Sequence, residues 1–303
     1  MKKTLLSALL LAVVGCVDNT DPDPTTYGQT TQDSELAPKH IFLNKDNGDA
    51  GKGGAGKHTT AMVYHGGPVM LNTVNAYYIW YGNWSGNTAT TILTDFAGHI
   101  GGSPYFNINT TYYDGSNTHV SGAVSYAGSM SDNYSHGTAL SDAGVQAVVA
   151  DAISSHALPL DTNGVYFVLT SADVNETSGF CTQYCGWHTH GTISGSDIKY
   201  SFVGNPDRCP SACEAQSTGP NGNAGADGMA SIIAHELEEA VTDPDLNAWY
   251  DHRGAENADK CAWTFGSTYT ANGAYANMQL GSRNYLIQQQ WVNASGGFCA
   301  LSQ

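Results

Sequence analysis

The residues best equipped for chemistry lie at 231–245, SIIAHELEEAVTDPD. His235-Glu236-Leu237-Glu238-Glu239 follows the zinc-peptidase pattern H-E-x-x-H, except that a glutamate stands in place of the second histidine. On an α-helix, residues i and i+4 are neighbours, so His235 and Glu239 can chelate one divalent ion together. At about 100° per residue, Glu236 is turned aside from that pair, as a general base must be to reach metal-bound water. Glu238 points the other way and is expected in solvent. Ala230, Ile233, Leu237, Ala240 and Val241 occupy the opposite arc and offer a face to a core.

A metal needs a further ligand. Asp245, Glu256 and Asp259 follow the helix, and Glu256 is the first choice because a glutamate some twenty residues downstream is a zincin pattern. Asp243, just before Pro244, is better suited to local capping. One histidine with two carboxylates lowers the net charge at the metal. Its bound water is then less acidic than the pKa of about 7 of a three-histidine zinc site. Zinc is the first expectation, with manganese or calcium as oxygen-tolerant alternatives. In "CGWHTH" (185–190), His188 and His190 share one side of an extended segment. His188 is the stronger candidate to approach the metal or polarise a substrate carbonyl. His65, in "YHGG", reads as an exposed turn residue whose glycines allow close backbone approach.

The elements that must carry these residues alternate strand and helix. Alternating and aromatic residues over 74–81 predict a buried strand, and 86–99 predicts a helix ended by Gly101-Gly102. Residues 141–156 predict a second helix, with Val145, Val148, Val149 and Ile153 on one face. Strands are expected at 164–171 and 199–205, and a mostly irregular, cysteine-rich stretch at 181–223. The motif helix should run from about 225 to 242, stopped by Asp243-Pro244. Short β segments follow from 261 to 301. These elements predict a mixed α/β class, a single zincin-like domain built round the motif helix.

The chain opens MKKTLLSALLLAVVGC, a secretory signal too short for a permanent span. Gly15-Cys16 resembles a lipobox, which makes Cys16 the expected lipid anchor. Residues 16–60 are rich in Asp, Thr, Gly and Pro and read as a disordered tether, leaving 61–303 as the globular part. With 27 acidic and 11 basic residues the chain lacks the basic footprint that nucleic acid demands. Of its seven cysteines, six remain once Cys16 is set aside. The simplest pairing joins Cys181 to Cys185, Cys209 to Cys213 and Cys261 to Cys299, although six cysteines allow fifteen connectivities. A four-cysteine zinc site is the competing reading, and an oxidising compartment favours disulfides. No G-x-S-x-G elbow or P-loop is present. Trp80, Tyr81, Trp84, Trp187, Trp249 and Tyr250 could stack on sugars or simply fill a core.

Several phrases together resemble the Exordium or phosphate-induced protein family, known from plant cell walls and present in bacteria. They are "YHGGPVM", "YIWYGNW", "FVLTSADV", "GFCTQYCGWH", "FVGNPDRCPSACEAQ" and "GPNGNAGADGMASIIAHELEEAVTDPDLNAWYD", covering most of 62–263. The chain is similar to the bacterial form at His235, Glu236, Glu239, Thr242, Asp243 and Pro244. The resemblance implies an extracellular protein and transfers no catalytic residue. Two functions are therefore expected from different classes. The first is a lipid-anchored, monomeric zincin-like metallopeptidase acting on a peptide or protein. His235, Glu239 and Glu256 would hold its metal, with Glu236 and His188 catalytic. The second is a non-catalytic cell-surface protein with a structural cation, contacting polysaccharide or a partner.

Overall fold

The computed structural model describes residues 38–47 and 60–303. The expected leader at 1–15, the expected anchor Cys16 and most of the expected tether at 16–60 lie outside the described residues. The sheet strands are β1 (His40–Leu43), β2 (Val74–Tyr81), β3 (Val124–Asp132), β4 (Gly164–Thr170), β5 (Tyr184–Ile193) and β6 (Ser196–Gly204). The helices of twelve residues or more among the described residues are α1 (Ala89–Ile100), α2 (Asp142–Ser154) and α3 (Ala224–Thr242). The sheet order is β1-β5-β6-β4-β2-β3. Strands β3, β2, β4 and β6 are parallel, while β5 runs antiparallel to both β6 and β1.

The central strands are apolar runs because both their faces are covered. Every residue of β4, GVYFVLT, is buried. Strand β3 stands at the edge and instead alternates between half-buried and exposed positions, the period of two expected of one covered face. Gly186 and Gly191 of β5 lie on opposite faces. A Cβ on the first would meet Ile232 and Glu236 of α3, and a Cβ on the second would meet Gln146 of α2. Helix α3, with α1 beside it, therefore packs on one face and α2 on the other.

Local chemistry starts and stops these helices. The Ser141 side chain accepts from Gly144 N at α2, and Asn223 accepts from Ala226 N at α3. Asp243 ends α3, its Oδ1 accepting from the backbone of Asn247 and Ala248 at 2.6 Å each, before Pro244.

The mixed α/β class and a motif helix at the centre agree with expectation. Three details differ. Residues 40–43, within the presumed tether, form β1, because HIFL supplies apolar side chains that the β5 edge can bury. Residues 184–193, within the presumed irregular stretch, form the ten-residue strand β5. The disulfides pair across, Cys181–Cys209 and Cys185–Cys213, together with Cys261–Cys299. Cys213 closes the one-turn helix Pro210–Cys213, with Cys209 as its cap. Helical i,i+4 neighbours hold their Cβ atoms about 5–6 Å apart, beyond the roughly 3.5–4.5 Å that a disulfide spans. Each therefore reaches across to the β5 region. Trp80, Tyr81, Trp84, Trp187 and Trp249 are buried, which agrees with the core reading and leaves no exposed stacking surface among them.

Candidate metal centre

Helix α3 is buried on every side. Glu238, expected in solvent, is 0% exposed, as are His235, Glu236 and Glu239. The helix is not a surface element, because the sheet covers one flank and α1, segment 106–111 and segment 283–285 cover others. Gly186 makes the close approach to the sheet possible. A Cβ there would lie 2.6 Å from Ile232 and 2.9 Å from Glu236 Oε1.

Three histidines converge on the Glu239 carboxylate. The i,i+4 pair forms as expected, with His235 Nε2 3.0 Å from Glu239 Oε1. On the other side, His40 Nδ1 lies 3.1 Å and His188 Nε2 3.7 Å from Glu239 Oε2. His40 and His188 are directly paired across β1 and β5, so their side chains share the face that meets α3. The segment after α3 supplies two more acids. Glu256 lies 3.2 Å from His188 Nε2 and 3.6 Å from His40 Nδ1. Asp259 lies 3.5 Å from His235 Nε2 and 3.2 Å from His40 Nε2.

The electrostatics follow from burial. Burial raises the pKa of Glu236, Glu256 and Asp259, because a carboxylate loses its hydration there. Burial also acts on Glu239, but the charges of His235 and His40 outweigh it and hold Glu239 below its ordinary range. For His40, burial opposes protonation, yet Glu256, Asp259 and Glu239 raise it. His235 is raised in the same way, chiefly by Glu239 against the effect of burial. His188 goes the other way, lowered by burial to about 3, and is a neutral imidazole at any ordinary pH. Neutral imidazoles and carboxylates are the donor set that divalent transition ions take.

The structure thus brings together His235, Glu239, Glu256, His188 and Asp259, and sets Glu236 on the adjacent helix face. Asp245 is elsewhere, beside Lys199 and the half-buried His190. His65 stacks on Tyr250 at the surface, outside the cluster. The residue missed in sequence is His40. Its only signal was the apolar HIFL tetrapeptide inside a polar stretch.

Residues 62–294 match the family model described as phosphate-induced protein 1 conserved region. "Protein EXORDIUM-like 3" of Arabidopsis thaliana is 33% identical over 271 residues, which is 76% of this chain and 80% of that protein. "Protein EXORDIUM-like 5" of the same plant is 33% identical over 307 aligned residues, 86% of this chain and 82% of the relative. "Protein PHOSPHATE-INDUCED 1" of Nicotiana tabacum is 26% identical over 249 residues, 71% of this chain and 74% of the relative. No solved structure matches the chain. With its quoted motifs, its matched region and these relatives in agreement, the chain belongs to the Exordium, or phosphate-induced protein 1, family.

Proposed function

We propose that the protein is a non-catalytic extracellular member of its family whose buried histidine–carboxylate cluster holds a structural divalent cation. Burial is the observation that carries this reading. His40, His188, His235, Glu236 and Glu239 are 0% exposed, Glu256 is 1% and Asp259 is 5%. A cation there would tie together β1, β5, α3 and the 254–261 segment, which are far apart in the chain. Three disulfides support an oxidising compartment outside the cytoplasm. Lipid attachment at Cys16 would fix the protein to a membrane, and polysaccharide or a protein partner would be met by the outer surface.

The competing reading is a zincin-like peptidase, with Glu236 activating water and His188 acting on the substrate. It requires a peptide carbonyl to touch the ion, and the burial of every candidate ligand argues against that. The purified secreted chain should contain bound metal and show no hydrolysis across a broad peptide library. Peptide hydrolysis that disappears in Glu236→Gln would replace this reading with the peptidase. Metal-free protein that is fully stable would remove the cation.

A further inference from the structure

We infer that the buried cluster holds two divalent cations rather than one, with Glu239 bridging them; this rests on the cation reading above. The two oxygens of Glu239 face different donor groups. Oε2 faces His40 and His188, which also approach Glu256, and these four residues converge within 4.8 Å. Oε1 faces His235, which also approaches Asp259, and these three converge within the same limit. Glu239 is the residue common to both groups.

The spacing suits ligation. Two donors at about 2.0–2.2 Å from a shared ion stand about 3.0–3.6 Å apart, and the separations here run from 3.0 to 3.7 Å. His235 Nε2 is the second, independent sign. It is fully buried and 3.0 Å from Glu239 Oε1, yet makes no hydrogen bond among the described residues. The outer nitrogen of His40 is held as that of a ligating histidine usually is, Nε2 donating to the Gly254 carbonyl at 3.2 Å. The Gln288 side-chain amide lies 2.7 Å from His235 Nδ1; turned about its own axis it offers its otherwise unpartnered oxygen to an Nδ1–H, which leaves the lone pair on Nε2.

The carboxylates present are enough to balance two ions. Glu236, Glu239, Glu256 and Asp259 bring four carboxylates into one buried region, and both oxygens of Glu236 lack a partner among the described residues. With neutral imidazoles, two divalent cations balance these charges. Three histidines favour zinc or manganese over calcium, which takes six to eight oxygen ligands.

The test uses the full secreted chain, stripped with a chelator and titrated with zinc ion alone. Elemental analysis should find two zinc ions per chain. Anomalous diffraction at the zinc edge should find two peaks on either side of Glu239, about 3.5–4 Å apart. His235→Asn should lose one ion and keep the other, leaving the peak at His40 and His188. A single ion on wild-type protein overturns the bridged pair and leaves the cation reading intact. No ion at all overturns both. Peaks elsewhere, such as at His190 and Asp245, also overturn both.

Discussion

Replacing His40 with alanine separates a docked strand from a tether. The imidazole is fully buried, 3.1 Å from Glu239, 3.2 Å from Asp259 and 3.2 Å from the Gly254 carbonyl. Its removal leaves these carboxylates short of a partner, and breaking a buried charged pair costs about 3–5 kcal/mol. Against a total stability of about 5–15 kcal/mol this is a large fraction. For a domain of this size, each kcal/mol lowers the Tm by about 2–4 °C, so a fall of about 6–20 °C is expected. Thermal unfolding followed by circular dichroism reads it directly. His65→Ala, at an exposed ring stacked on Tyr250, is the control and should stay within about 0.5 kcal/mol of wild type. If His40→Ala unfolds within about 2 °C of that control, strand β1 does not anchor the cluster and the reasoning fails.

Chelation should destabilise the domain, and more so as pH rises. Burial raises Glu236, Glu256 and Asp259, so the folded metal-free chain keeps protons that the unfolded chain has released above the ordinary carboxylate range. The stability they allow is present at low pH and lost on going up. His40 and His235, raised by surrounding carboxylates despite burial, act in the same direction above about pH 6.5. His188, lowered to about 3 by burial, opposes them below that point but is a single group. The stripped chain should therefore melt higher at about pH 5.5 than at about pH 8.5, and an unchanged or reversed order counts against it. Gly186→Ala should cost about 1–3 kcal/mol by overpacking against Ile232 and Glu236, measured by denaturant midpoint; a neutral result would mean that α3 is looser on β5 than described. Non-reducing peptide mapping should recover Cys181 linked to Cys209 and Cys185 linked to Cys213, and a Cys181–Cys185 peptide would contradict the fold.

Much of the architecture was legible because it is written in local periodicity. The run at 74–81 is apolar on both faces and became the buried strand β2 over those residues. Asn223 and the Asp243-Pro244 stop bracket α3 within two residues of the expected ends. The chelating pair His235 and Glu239 was legible for the same reason, since one helical turn sets their distance. Glu238 was not. A helical wheel assumes one wet side, and whether a helix has one depends on what the rest of the chain lays over it. His40 was hidden by composition, since three apolar residues beside a histidine within a polar stretch carry little local signal.

The sequence by itself determined the class of fold, the motif helix and its i,i+4 donor pair, the cysteine set, and the family. These depend on spacing along the chain and on neighbours a few residues apart. The tertiary structure decided which distant residues share the site. The β1–β5 register sets His40 beside His188, and the 254–261 segment brings Glu256 and Asp259 to the two sides of Glu239. It also decided that Cys181 pairs with Cys209 and Cys185 with Cys213 rather than with their near neighbours. Such pairings are chosen by packing between segments far apart in the chain, whose energy appears only once the sheet has formed.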